Sequence, residues 1–279
     1  MDLKFNGALR ASLNLSLTGR MDTRYWGPSG WRLLHLITFA YEPERDKKNV
    51  CKFFHVLPYV LPCKFCRASL SAYILEDPIE DACETPEKLQ RWLWRIHNKV
   101  NAKLRSAGLS KTEDPPFAMV SRLYKEKLEQ GCSRTVFDGW EFLFSVAENH
   151  PLSRAGRSSV PLQGAPPAEQ LDTPALRNRW NVMETEERME FYLDFWEVLP
   201  HVLPFPEWRR GWLNYTREQW DSRKDALATL WKIRSSLEKE LDLLNRTDYS
   251  SLCKVLQSVR SGCHASNRSK TCRKKRSKL

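Results

Sequence analysis

Two cysteines separated by two residues, in the run Leu61-Pro62-Cys63-Lys64-Phe65-Cys66-Arg67-Ala68, are the side chains of this sequence best suited to chemistry. The spacing puts both sulfurs within reach of one disulfide, and the run places them where a helix can begin. Partial positive charge at a helix N-terminus, with Lys64 and Arg67 beside it, lowers a thiol pKa. It thereby supplies the thiolate that either disulfide exchange or metal ligation requires. A metal reading would draw on Cys51 and His55, four residues apart on the preceding helix, to complete a tetrahedral zinc set with Cys63 and Cys66.

A second group lies further on. Trp94, His97, Asn98 and Asn101 fall at spacings of three and four, so an indole, an imidazole and two amides share one helical stripe. A buried stripe is ordinarily aliphatic, because each buried amide without a partner costs about 1 kcal/mol or more. Such a face is therefore either solvated or turned toward a polar ligand.

The elements that must carry these groups follow from turn and cap residues. Gly and Pro in Tyr25-Trp26-Gly27-Pro28-Ser29-Gly30-Trp31 make a turn, and Pro28 or Ser29 opens a helix with Trp31, Leu34, His35, Thr38 and Tyr41 on one face. Pro43 ends it. A second helix is expected over about 47–59, and a third runs from the cysteine pair to about Leu75, where Asp77-Pro78 breaks the chain. Thr85 caps a fourth helix, with Pro86 in its first turn, that lasts to about Arg105; a fifth covers about 118–130. No segment before residue 150 alternates like a strand, so the fold is expected to be all-α and a thioredoxin-type sheet is excluded.

Composition narrows the class. The 279 residues carry a net charge of +11, but seven Lys or Arg and no acid lie between Arg268 and Lys278, which leaves the body near +4 by subtraction. That basic tail has no interleaved aromatics for base stacking, so specific nucleic-acid recognition is not expected. No apolar run approaches the roughly 18 residues of a membrane span, and the first twenty residues lack the apolar core of a secretion signal. A soluble chain is expected. Its eight cysteines are too sparse for a disulfide-stapled scaffold.

Four pieces stand in order: Trp26-Gly27-Pro28-x-x-Trp31-x-x-x-His35, then Pro62-Cys63-x-x-Cys66, then Trp94-x-x-His97-Asn98-x-Val100-Asn101, then Lys103. Together they resemble the Erv/ALR family of flavin-linked sulfhydryl oxidases, over about residues 24–130. The resemblance implies a four- or five-helix FAD-binding bundle that oxidises dithiols in protein substrates and passes the electrons to molecular oxygen, giving hydrogen peroxide. It also implies that Cys66 is the flavin-proximal cysteine and Cys63 the outer one, and that Trp31, His35, His97, Asn98, Val100, Asn101 and Lys103 line the FAD. Pro28 stands where many members carry Arg, a form associated with viral relatives, and leaves one cofactor contact unassigned. Many cellular members have a long-range structural disulfide near the adenine. No second cysteine lies near Pro115 to match it, so Cys83 is expected to be free.

The chain also resembles itself. Residues 53–62 and 195–204 are identical at seven of ten positions, and Gly30-Trp31-Arg32-Leu33-Leu34 and Leu93-Trp94-Arg95-Ile96 reappear in order as Gly139-Trp140-Glu141-Phe142-Leu143 and Leu230-Trp231-Lys232-Ile233. The second copy keeps packing residues and loses reactive ones: Cys63 becomes Phe205, Cys66 Trp208, His35 Phe144, His97 Arg234, Asn98 Ser235 and Asn101 Glu238. The expected organisation is a mobile arm (1–23), the flavin domain (24–134), a degenerate flavin-free helical copy (135–252) with an exposed excursion near 150–174, and a disordered basic tail (253–279). By likeness to animal quiescin-type oxidases, the copy is expected to take a partner domain's place as an intrachain pseudo-dimer, with a homodimer as the alternative. Cys263 and Cys272 in the tail are candidates for a shuttle dithiol. The viral style points to host cytoplasm and virion, with the mitochondrial intermembrane space as the alternative.

Overall fold

Local sequence cuts the chain into helices at places that cap chemistry dictates. The Thr85 hydroxyl accepts from the Lys88 N–H at 3.2 Å while Pro86, which has no N–H to leave unsatisfied, occupies the first turn. A computed structural model describes residues 23–132, 137–153, 160–212, 215–242 and 247–259, and these are helical with no strand among them. In order they are α1 (Thr23–Phe39), α2 (Pro43–Val60), α3 (Lys64–Glu76), α4 (Ile79–Ala82), α5 (Pro86–Ser106) and α6 (Phe117–Glu129). There follow α7 (Trp140–Glu148), α8 (Pro174–Trp180), α9 (Thr185–Val202), α10 (Pro206–Arg210), α11 (Arg223–Glu240) and α12 (Tyr249–Ser258).

Several expectations need correction. Pro28 lies inside α1, which begins five residues earlier at Thr23. Pro43 does not end α1, which stops at Phe39; it opens α2 in the first turn, where its fixed φ favours the helix. The supposed tail of 253–279 starts as structure, because α12 runs to Ser258 and its Leu256 is buried; the rest of that tail, beyond 259, lies outside the described residues. The stretch 150–174 is exposed through most of its described middle but anchored at both ends. His150 is buried with its Nε2 2.9 Å from the Trp220 carbonyl, and Leu171 is buried too. The N-terminal arm, Cys263, Cys272 and the basic cluster lie outside the described residues.

Three helix pairs join the first and second halves among the described residues: α1 with α7, α2 with α9, and α3 with α8. α1 packs on α7 at close range: a Cβ on Gly30 would sit 3.2 Å from the Phe142 ring, and one on Gly139 2.8 Å from the Leu33 side chain. Gly139 also has φ +128°, a conformation that side chains rarely adopt. α2 packs on α9, where Phe53 stacks on Phe195 at 5.5 Å, Tyr59 stacks on Phe191 at 3.8 Å, and Lys52 pairs with Asp194 at 3.2 Å. Aromatic rings of this kind bury large apolar areas.

Cys83 is not free. It forms a disulfide with Cys51, across 32 residues, which ties the short α4 to α2. Sequence alone could not pair them, because Cys51 sits mid-helix and Cys83 caps a one-turn helix; α4 meets α2 only when the buried Ile79 and Ala82 pack into the core. Tyr41 donates to the Cys83 carbonyl at 2.6 Å and fixes the same corner. Replacing Cys83 with Ser is expected to destabilise the fold by about 2–4 kcal/mol through loss of the closed loop, seen as a lower melting temperature, while flavin content at low temperature is retained.

Candidate active site

The cysteine pair sits at the start of α3. Cys63 is the N-cap, with extended backbone (φ −127°, ψ 122°), and its carbonyl accepts from the amides of Cys66 and Arg67, both at 2.9 Å. Both sulfurs therefore stand at the positive end of the α3 dipole, which favours thiolate over thiol. Cys63 is the more buried, at 5% exposed, whereas Cys66 is half-buried. That order is the reverse of the one the outer, exchanging role suggests for Cys63.

Behind α3, rings from three helices form a continuous wall. Trp31 on α1 stacks on His97 of α5, centroids 3.8 Å apart and planes 10° apart. His97 Nδ1 lies 3.1 Å from His35 Nε2, so one of the two imidazoles donates to the other. His35 in turn stacks on Tyr124 of α6 at 4.9 Å, and Tyr124 on Phe39 at 5.6 Å. Trp94, on the same stripe as His97, packs edge-on against Phe117 and donates to the Pro115 carbonyl at 3.0 Å. Burial pulls the His35 pKa down to about 3, with the neighbouring His97 adding to the effect; burial also pulls His97 down to about 4, against the pull of Asp114. Both rings are neutral at pH 7.

The polar end of the stripe is tied to neighbouring elements. Asn101 donates to Asp114 at 2.9 Å, and the Arg105 guanidinium grips the same carboxylate at 2.9 and 2.7 Å, which holds Asp114 below the usual carboxylate range. Lys103 donates to the Ser69 hydroxyl of α3, and Lys99 reaches Glu76 of α3 at 2.9 Å, so the cysteine helix and the stripe helix are joined. Asn98 and Val100 are half-buried on α5. Trp31, His35 and His97 are thus brought into mutual contact. Asn101 and Lys103 instead face protein partners, at the loop before α6 and on α3. Sequence reading missed Tyr124, Asp114 and Ser69. Tyr124 had one signal, its position four residues after Val120 on the buried face of α6.

These residues fit a large flat polar cofactor. The His35 Nδ1 is buried and has no hydrogen-bond partner among the described residues, so it awaits a donor or acceptor from elsewhere. The rings offer π-faces, while amides and a lysine line the adjoining end. The zinc set is not assembled: Cys51 spends its sulfur on Cys83, and His55 faces Glu80 at 3.4 Å on the surface. No cluster of three or more metal-ligating side chains occurs among the described residues. A cavity of about 230 Å³ lined by Glu148, Arg223, Tyr249 and Cys253 lies in the second half. Neither Cys63 nor Cys66 lines it, and it is below the roughly 300 Å³ at which ligand pockets begin.

Comparison with known proteins is consistent with this geometry. Residues 28–118 match the model of the Erv1 / Alr family. The chain is 36% identical over 87 residues to the mitochondrial FAD-linked sulfhydryl oxidase ERV1 of Saccharomyces cerevisiae, a match covering 30% of this chain and 45% of the yeast protein. It is 30% identical over 115 residues to the FAD-linked sulfhydryl oxidase of African swine fever virus (isolate Pig/Kenya/KEN-50/1950), covering 40% of this chain and 87% of the viral protein. A putative FAD-linked sulfhydryl oxidase of invertebrate iridescent virus 3 is 27% identical over 93 residues, 32% of this chain and 63% of that protein. No solved structure matches the chain.

The neutral imidazoles set a pH dependence. In the unfolded chain each takes up a proton near pH 6.5, whereas His35 and His97 resist it until about 3 and 4, so the unfolded state binds more protons between these limits. Stability is therefore whole above pH 6.5 and lost as pH falls toward 4, on the order of 2 kcal/mol per imidazole at pH 5. Thermal melts at pH 7 and pH 5 check this, and His97→Gln is expected to flatten the slope.

Proposed function

The chain belongs to the Erv1 / Alr family, and from that membership and the site together we propose that it is an FAD-dependent sulfhydryl oxidase. It converts two thiols of a protein substrate and O2 into a disulfide and H2O2. The observation that carries the reading is a Cys-x-x-Cys at the head of α3, a helix tied to α5, whose His97 joins Trp31 and His35 of α1 in a ring wall where the buried His35 Nδ1 has no protein partner among the described residues. Bound FAD supplies the two-electron acceptor that returns the cysteine pair to its disulfide and hands the electrons to oxygen.

The chain's own residues do the rest. A substrate thiolate attacks one sulfur of the Cys63–Cys66 disulfide, the other leaves as a thiolate stabilised by the α3 N-terminus, and a second substrate thiol resolves the mixed disulfide. By the family likeness Cys63 is attacked and Cys66 leaves. Trp31, His35 and His97 would bind the flat ring systems, Asn98 and Asn101 the polar edges, Val100 the apolar surface, and Lys103 the phosphates. For Asn101 and Lys103 this requires exchange of their present partners, Asp114 and Ser69. Purified protein is expected to be yellow. Cys63→Ser and Cys66→Ser should each abolish dithiol-dependent oxygen consumption while keeping the colour, and a colourless protein with stoichiometric zinc would overturn the reading. Incubation of the Cys66→Ser variant with the disulfide form of the substrate should leave a mixed disulfide, because the Cys63 thiolate attacks that disulfide, one substrate thiolate leaves, and no Cys66 thiol is there to release the adduct; trapping only on Cys63→Ser would reverse the two roles.

We also propose that the second half is a flavin-free copy of the first and packs on it as an intrachain pseudo-dimer. Reciprocal contacts support this: Gly30 abuts Phe142 while its counterpart Gly139 abuts Leu33, the counterpart of Phe142. Phe53 stacks on its own counterpart Phe195, and Lys52 likewise pairs with its own counterpart, Asp194. In the copy, Arg234 stands over Trp140 and Phe144, where His97 meets Trp31 and His35, and it is paired with Glu238 at 2.7 Å. That partly buried ion pair puts charge where the first half keeps neutral rings. Light scattering on the eluting protein is expected to give the mass of one chain with one flavin; a stable dimer would overturn the pseudo-dimer.

For location, the relatives' names point to a mitochondrion and to viruses, and no described helix is long and apolar enough to cross a membrane. Host cytoplasm and virion are the places we propose. The basic tail and a Cys263–Cys272 shuttle remain proposals from sequence.

A further inference from the structure

Two asparagines that follow the 150–174 stretch reach the inner side of the cysteine helix. Pro62 has no N–H, so the Pro58 carbonyl cannot receive its helical bond from residue 62. The buried Asn178 of α8 supplies the missing donor, with Nδ2 3.1 Å from that carbonyl and 2.8 Å from the Ser71 hydroxyl of α3. Three residues on, Asn181 closes α8 in the left-handed conformation, φ +57°. Its Nδ2 donates to the Val160 carbonyl at 2.8 Å, which fixes the amide so that Oδ1 accepts from Arg67 at 3.1 Å. Arg67, directly after Cys66, also donates to the Leu61 carbonyl at 3.1 Å. All four side chains are at most 4% exposed.

The second half repeats only part of this. Arg209, in the place of Arg67, donates to the Leu203 carbonyl at 2.7 Å, the same six-residue step back, and faces the Asp46 carboxylate at 3.9 Å. The arginine-to-carbonyl bond is thus common scaffold. The asparagine contact is found on the Arg67 that adjoins a cysteine pair.

We infer that Asn178 and Asn181 are positioning residues for the thiol chemistry: they hold the first turns of α3, Asn178 through the Pro58 carbonyl and Ser71, and Asn181 by anchoring Arg67, the residue that follows Cys66. The inference rests on the oxidase reading for its role in turnover. The charged groups around Arg67 are Lys64 on its own helix and Arg188, from α9, whose guanidinium burial and the Arg67 charge pull down to about 9. Positive charge on this side favours the thiolate.

The test uses the full chain with bound FAD. Asn181→Gly removes the amide and keeps the backbone, because glycine accepts a positive φ without strain; it is expected to lower kcat about ten-fold by loosening the first turn, with KM for a small dithiol unchanged. Asn181→Asp keeps the shape but places a carboxylate on Arg67, and is expected to move the pH midpoint of iodoacetamide alkylation of the reduced pair upward by about one pH unit. A purely structural contact would alter melting without moving that midpoint. Wild-type kcat in Asn181→Gly, or an unmoved midpoint in Asn181→Asp, overturns the inference. A wild-type chain that oxidises no dithiol overturns the function instead, and the alkylation midpoint still decides this point.

Discussion

Pro62 cannot donate a backbone hydrogen bond, and its ring disfavours helical geometry at Leu61. Helix α2 must therefore stop before it, and α3 restarts with Cys63 as its cap. The break is what puts two sulfurs at a helix N-terminus rather than mid-helix, where no free amides would face them. It also leaves carbonyls at the end of α2 that Asn178 and Arg67 must satisfy. One missing N–H thus shapes the redox centre and sets the terms on which the second half docks against it.

The site combines two environments that work in opposite directions on charge. At the cysteines, the positive end of the α3 dipole favours the thiolate. In the ring wall, burial keeps His35 and His97 neutral well below their ordinary range. Neutral imidazoles retain both an acceptor and a donor nitrogen and can stack without repelling one another. A protonated pair at 3.1 Å could do neither. In the second half, Arg234 pairs with Glu238 beside the rings of Trp140 and Phe144, so charge rather than a neutral imidazole lies against those aromatics.

Most helices were legible because their limits depend on short-range chemistry. Thr85-Pro86 and the Pro62-Cys63 junction act through neighbouring backbone groups, and the structure places caps where these residues stand. Pro28 misled because a proline early in a helix and one that opens it look alike locally. The Trp31, His35 and His97 trio was legible from spacing once the helices were set. Asn101 and Lys103 were assigned to the right helix, but their partners, Asp114 and Ser69, come from a loop and another helix. No local pattern encodes those distances.

The sequence by itself determined the all-helical class, the cysteine pair at a helix start and the family, since all three rest on spacings of a few residues or on ordered motifs. Only the tertiary structure decided that Cys51 bonds Cys83, which removes the zinc alternative, that Cys63 is the more buried sulfur, and that Asn178 and Asn181 lie on the inner face of α3. Each of these depends on which helices pack together. Packing is set by the summed fit of many apolar contacts along the whole chain, so the partners of a given side chain cannot be read from its neighbours in sequence.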